Sequence, residues 1–307
     1  MKDIFAKALT EAAEQDANVM LLTGDLGFGV FDEFQKKFSS QFINTGLSEP
    51  HMAGMAAGLA KEGKVVFVYS IGNFPTLRAL EQIRIDIAYH DVPVIVVCIG
   101  GGFSYGQLGM SHHALEDLST MRAMPNMRVY APADDWEAEE IMRAILRKPH
   151  PAYLRLDKSS AGNTRQKDEV FGLGAIRTVR TGNDVTLITT GSILAEALAA
   201  ADLLAKEGIE ARVLSAHSLK PFDATTLLTA VRETPRVISI EEHVIQGGLG
   251  GVIAETCLAN GVYPERFKSL GLDNEFPTVV GTQQYLRKHY GIDAGAIATH
   301  TKQLLER

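Results

Sequence analysis

Short apolar runs alternate with helix-spaced apolar positions along the chain. Ile4, Ala8, Leu9 and Ala12 recur at helical spacing over residues 3–15. VMLLTGD (19–25) is a short apolar run that ends in a Gly-Asp turn, as a buried strand does. A short amphipathic helix over 31–38, a strand over 42–46 and a helix from Ser48 through Met52, Met55 and Leu59 follow. VVFVYS (65–70) predicts another buried strand, with a helix near 76–90. VPVIVVCIG (92–100) is the most continuous apolar run and predicts a central parallel strand. A Gly-rich loop spans 100–113, then come a helix over 115–123, a strand over 127–133, a helix over 135–147 and a strand over 152–156.

The pattern breaks at DKSSAGNTRQKDEV, within 157–180, and then restarts. VTLITTG (185–191), ARVLSAHSL (211–219) and RVISIEEH (236–243) predict strands, with helices over 193–208, 223–234 and 248–260. The expected organisation is a first domain over 1–160, a linker over 161–180 and a second domain over 181–307. Strands alternating with helices predict an α/β fold with two doubly wound domains on mostly parallel, helix-covered sheets, the second domain smaller than the first.

Composition narrows the function classes. With 46% apolar and 22% charged residues, the bulk of the 307-residue chain is not disordered. A net charge of −7 with no basic block argues against nucleic-acid and anionic-membrane partners. No apolar run reaches the roughly 18–20 residues of a membrane span. The opening MKDIFAKALTEAAEQD is charged from its second residue and predicts no export signal. Cys98 and Cys257, far apart in apolar surroundings, predict reduced core thiols of a cytoplasmic protein.

Candidate chemistry belongs in the loops after the strands, where parallel α/β sheets bind ligands. Gly24-Asp25-Leu26-Gly27-Phe28-Gly29 is not a GxGxxG loop, and no Walker sequence occurs; it is either a plain strand-end turn or a place where Asp25 faces a ligand. In Gly46-Leu47-Ser48-Glu49-Pro50, Ser48 is a good N-cap and Glu49 favours the positive helix end. Glu49 alternatively stands desolvated beside a close-packed partner and shares a proton with a ligand base, because Ala53, Gly54, Ala56, Ala57 and Gly58 admit a neighbour. The loop 100–113 ends in His112 and His113, whose adjacency disfavours a metal pair; the alternatives are a hydrogen bond to a substrate hydroxyl or structural capping. Tyr69 and Phe74 either stack on a flat ring or fill the core. Arg78 and Arg155 either hold a phosphate or carboxylate or make structural ion pairs.

Taken together, TGDLG (23–27), NTGLSEPHMAGMAAGLA (44–60), YSIGNF (69–74), EQIRID (81–86), GMSHHALEDLSTMRAMPNMRVYAPAD (109–134), AYLRLDK (152–158), HSLKPFD (217–223) and IEEHVIQGGLGG (240–251) resemble the carboxyl-terminal half of transketolase. That family belongs to the thiamine diphosphate enzymes. The resemblance implies a parallel-sheet pyrimidine-binding domain followed by a smaller, mixed-sheet α/β transketolase C-terminal domain. It implies that Glu49 activates the aminopyrimidine, that Phe74, and Tyr69 with it, stack on that ring, and that Asp25 and Leu26 lie near the thiazolium. It implies that His112 is the active-site histidine, that Arg155 contacts substrate phosphate, and that Arg78 takes the place of a phosphate-binding arginine of deoxyxylulose-phosphate synthases.

Two departures qualify this. Gly100 and Leu108 stand where full-length enzymes carry a polar His and Asp, which puts the usual pentose-phosphate substrates in doubt. The diphosphate-binding domain that holds the metal has no counterpart in this sequence. The resemblance therefore implies one subunit of a split transketolase, transferring a two-carbon ketol unit between sugar phosphates. Thiamine diphosphate, with Mg²⁺ or Ca²⁺ held by an N-terminal-half partner subunit, would lie between the chains of an α2β2 assembly. The alternatives are the β subunit of a 2-oxoacid dehydrogenase, a deoxyxylulose-phosphate synthase-like enzyme, and a non-catalytic assembly subunit.

Overall fold

The apolar runs form strands covered on both faces. A computed structural model describes residues 1–306. Its first part contains α1 (Lys2–Gln15), β1 (Val19–Thr23), α2 (Asp32–Lys37), β2 (Phe42–Asn44), α3 (Glu49–Lys61), β3 (Val65–Ile71), α4 (Leu80–Gln82), β4 (Val94–Ile99), α5 (Asp117–Arg122), β5 (Arg128–Tyr130), α6 (Asp135–Arg147) and β6 (Ala152–Leu156). There follow β7 (Arg177–Arg180), β8 (Val185–Thr190), α7 (Leu194–Ala205), β9 (Ala211–Ser215), β10 (Ser218–Lys220), α8 (Ala224–Glu233), β11 (Arg236–Val244), α9 (Leu249–Ala259), β12 (Arg266–Leu272), α10 (Gln283–His289) and α11 (Ala294–Glu306).

The first sheet has seven strands in the order β10-β5-β6-β4-β3-β1-β2, parallel except for the β10–β5 pair. Period two sorts β1: Val19 and Leu21 enter one core with Phe5, Phe67 and Ile141, while Met20 and Leu22 enter the other with Met52, Ala56 and Val68. β4 lies in the middle with all six residues buried, as its continuous apolar run predicts. The second sheet has five strands in the order β12-β11-β8-β9-β7, parallel except for β7–β9. Its two faces likewise carry separate cores, one with Ile193, Ala197 and Ile297 and one with Leu227, Leu249 and Ile253. This is the expected α/β architecture.

Three local expectations are corrected. The segment expected as one strand over 211–219 divides: β9 stays in the second sheet, and β10 crosses to the edge of the first, where Ser218 stands opposite Tyr130. β7 lies inside the expected linker; it is a half-exposed edge strand, so its polar sequence reads as loop. The helix expected near 76–90 is wound as a π segment over Phe74–Arg78, one α turn and a second π segment over Ile83–Tyr89. Pro75 stands in the first turn of this segment, where its missing N–H costs no helical hydrogen bond.

Cys98 and Cys257 are buried free thiols. Among the described residues, no helix is long and apolar enough to cross a membrane, and no group of three or more His, Cys, Asp or Glu could hold a metal ion.

Candidate active site

The loops after β1, β2, β3 and β4 converge at the carboxyl ends of neighbouring parallel strands, beside the point where the strand order reverses between β1 and β3. Glu49 opens α3 there and is 1% exposed. Ser48 occupies the N-cap position but makes no side-chain capping bond, so the expected cap is absent. The carboxylate is instead held by side chains. Ser70 Oγ donates to Oε1 at 3.2 Å, and Arg78 donates to Oε2 at 2.9 Å. Gly24 approaches from β1: a Cβ on it would lie 3.6 Å from Oε1. The positive end of α3 adds to the stabilisation of the buried charge.

From Glu49 a line of rings leads along the groove. The Arg78 guanidinium lies 4.5 Å from the centre of the Phe74 ring, at cation–π distance. Phe74 meets His112 at a centroid distance of 5.2 Å, His112 meets Tyr105 at 6.2 Å, and Lys158 Nζ lies 4.4 Å from the Tyr105 ring centre. Ser111 Oγ hydrogen-bonds His112 Nδ1 at 3.0 Å; among the described residues none engages Nε2. Gly72 permits the crossing of the loops, since a Cβ on it would meet Ala114 Cβ at 3.1 Å and its φ is +26°. Asn73 donates to the His113 carbonyl and pins the same crossing.

His113 faces away from this groove. It is fully buried, with its ring edge-on to Phe103 and its Nε2–H donated to the Gly106 carbonyl at 3.2 Å. Burial lowers its pKa and keeps it neutral. Asp25 lies at the exposed rim with a φ of +55° and exchanges hydrogen bonds with Asn44, its own N–H donating at 3.0 Å and Asn44 Nδ2 at 3.2 Å. Leu26 is half-buried against the aromatic core.

Two expected site residues do not face the groove. Tyr69 is 2% exposed, stacked on Phe5 at 5.8 Å and edge-on to Phe31 at 4.9 Å. Strand alternation turns it away from the face on which Ser70 meets Glu49. Arg155 is 3% exposed and fully engaged: Nε donates to Asp157 at 3.1 Å, one terminal nitrogen to Asp117 at 3.3 Å and the other to the Glu242 carbonyl at 2.9 Å. Burial opposes its charge, but Asp117 and Asp157 outweigh that and raise its pKa. Gly101 passes so close that a Cβ would fall 1.9 Å from Arg155 Nε. Arg155 is therefore a structural ion-pair residue, and the exposed cation at this strand end is Lys158. Ser70, Lys158 and Gly72 lie in the recognised motifs, but no spacing rule singles them out.

Comparison with known proteins gives the family of both units. Residues 1–163 match the pyrimidine binding domain of transketolase, and residues 174–297 match the transketolase C-terminal domain. The chain is 33% identical over 305 residues to an apulose-4-phosphate transketolase subunit of Phocaeicola vulgatus, covering 99% of this chain and 96% of that one. It is also 33% identical over 308 residues to a 6-deoxy-6-sulfo-D-fructose transketolase subunit of a Clostridium species, covering 100% and 95%. A solved split-gene transketolase, described as an inactive beta4 tetramer, superposes with a TM-score of 0.89 at 34% identity, covering 99% and 97%. With both domains matched and full-length relatives above 30% identity, the chain belongs to the transketolase family, as a subunit of the split type.

Proposed function

We propose that this chain supplies the pyrimidine-side half of a transketolase active site and that a partner subunit supplies the other half. The observation that carries this reading is Glu49: a buried carboxylate at a helix start, held by Ser70 and by Arg78, whose guanidinium lies over the Phe74 ring. Enzymes of this family depend on thiamine diphosphate. The residues fit its aminopyrimidine, because a charged acceptor in a water-poor site and a flat apolar ring are what a protonated heteroaromatic needs. When bound, the cofactor supplies the electron sink for carbon–carbon cleavage.

The chain's own residues divide the remaining work. Glu49 holds a hydrogen bond to the ring nitrogen through a carboxylate oxygen, with Ser70 fixing its orientation. His112 presents Nε2 to a substrate hydroxyl. Lys158 and Arg78, at opposite ends of the ring line, are the cations for an anionic substrate end. Phosphate and sulfonate groups appear in the substrate names of the two relatives, and a point charge suits both. The reaction is transfer of a two-carbon ketol unit from a ketose phosphate to an aldose acceptor. Gly100 and Leu108 bring no polar side chain to the positions where full-length enzymes carry a His and an Asp, which argues against the usual pentose phosphates as substrates.

The rim supports a partner. Phe28, Leu47, Leu77 and Leu108 are 76%, 77%, 45% and 55% exposed; Phe28, Leu47 and Leu108 lie on loops that follow β1, β2 and β4, and Leu77 lies in the π segment that follows β3. The partner subunit would cover this rim, carry the diphosphate with Mg²⁺ or Ca²⁺, and complete an α2β2 assembly. The test is ketol transfer by this chain mixed with its partner, with wild type and Glu49→Gln compared. Activity should fall by about two to four orders of magnitude while assembly survives. A Glu49→Gln enzyme of near-normal rate would remove the reading, and CO₂ release from pyruvate by the wild type would replace ketol transfer with oxoacid chemistry.

A further inference from the structure

One buried carboxylate of the C-terminal unit grips the long loop of the first unit, and the catalytic reading leaves it unused. Glu242, on β11, is 2% exposed. Its Oε1 accepts the backbone N–H of Phe103 at 2.5 Å and Nε2 of Gln283 at 2.8 Å. Oε2 accepts from Arg287 Nε, and the Glu242 carbonyl accepts from Arg155 at 2.9 Å. One residue thus joins the start of the 100–113 loop, the end of β6 and the helix α10.

The loop needs such a grip. GGGFSYGQLGMSHH contains five glycines in fourteen positions, and glycine-rich backbone loses the most freedom on ordering. Two of those glycines are shaped to the clamp. Gly102 has a φ of +59°, and a Cβ on it would lie 2.4 Å from Glu242 Oε1. At Gly106 a Cβ would lie 2.5 Å from Leu286 Cδ1 and 2.6 Å from the Gly281 carbonyl oxygen. The Gly106 carbonyl accepts the Gly281 N–H at 3.3 Å and the His113 ring N–H at 3.2 Å. The far end of this loop carries His112 to Phe74.

We propose that Glu242 is a positioning residue for ketol transfer: it fastens the 100–113 loop to the C-terminal unit so that His112 stands in the groove beside Phe74. The proposal rests on the reading of that groove as the active site. It gives the C-terminal unit a role in the reaction through the loop that carries His112. Arg287 keeps Glu196 at 3.5 Å and Ser192 Oγ at 3.1 Å when the Glu242 charge is removed, so the fold retains a partner for it.

The test uses the assembled enzyme of this chain and its partner. Glu242→Gln removes the charge and places an NH₂ group where several donors converge. Gly102→Ala alters no charge and pushes the loop off the carboxylate, so it serves alone where Glu242→Gln fails to assemble. Backbone amide exchange over 103–113 should rise by about tenfold or more while β8 and α9 exchange as in wild type. The kcat/KM for ketol transfer should fall by about 10- to 100-fold, the cost of a misplacement of roughly 1 Å. Thiamine diphosphate affinity should stay within about twofold, because Glu49 and Phe74 lie off the loop. Loop amides that exchange at the wild-type rate in both variants overturn the clamp, as does activity lost only in proportion to unfolded protein. A wild-type assembly without ketol transfer overturns the groove reading and the catalytic role with it, whatever the loop amides do. An active wild type whose variants have loosened loops and unimpaired kcat/KM overturns the role of Glu242 alone.

Discussion

Replacing Arg155 with Met separates a structural arginine from a substrate-binding one. Arg155 is 3% exposed between Asp117 and Asp157, which are themselves 0% and 2% exposed. The substitution leaves both carboxylates buried without their cation, though Asp117 keeps the Tyr153 hydroxyl at 2.6 Å and Asp157 keeps the Ser192 N–H at 2.9 Å. Breaking a buried ion pair from one side costs about 3–5 kcal/mol. For a chain of this length that corresponds to a melting temperature lower by roughly 5–15 °C. The paired variant is Lys158→Ala. Lys158 is exposed, so its loss should change stability by no more than about 0.5 kcal/mol. It should raise KM for a phosphorylated substrate by about tenfold, the loss of one charge-assisted contact of roughly 1.4 kcal/mol. Both variants are assayed by thermal melting and by KM for phosphorylated and unphosphorylated ketoses. The reasoning is refuted if Arg155→Met melts like wild type and raises KM for the phosphorylated substrate alone.

Other perturbations test the remaining geometry. Phe74→Ala should weaken thiamine diphosphate binding by the assembled enzyme about tenfold, while Tyr69→Phe should leave it within twofold, measured by titration calorimetry; equal effects would mean that Tyr69 reaches the cofactor. Burial raises the Glu241 pKa from 4.5 to about 7 and lowers that of His243 from 6.5 to about 4. The Glu241 contribution to stability is present below pH 4.5 and lost as pH rises through about 7; that of His243 is present above pH 6.5 and lost as pH falls through about 4. Glu241→Gln removes the first and leaves the second, so melting temperature should drop more steeply than in wild type between pH 6.5 and 5; parallel curves would show that these two groups do not set the acid limb.

Much of the fold was legible because its strands are covered on both faces and therefore read as unbroken apolar runs. β12 and the last two helices carry no such signal. RFKSLGL interleaves charge with apolar residues on an outer strand, and QQYLRKH turns mostly polar side chains to solvent. The surroundings of Glu49 were not legible in its motif: Ser70 and Arg78 hold the carboxylate, and the Ser48 cap does not form. The partners that disqualify Arg155 lie 38 and 87 residues away, beyond any local pattern. Tyr69 could have been excluded from strand parity alone, once Ser70 was placed toward Glu49.

The strand β10 fixes where a gene for this protein can be divided. Residues 218–220 leave the C-terminal unit and hydrogen-bond to β5, so the edge of the first sheet is finished by chain encoded far downstream. A fragment cut in the 161–176 stretch would expose the Arg128–Tyr130 backbone as an open edge, a template for pairing between copies. Shuffling the two units as independent modules would therefore yield an adhesive first half, whereas the two halves inherited as one block bring their own edge cover.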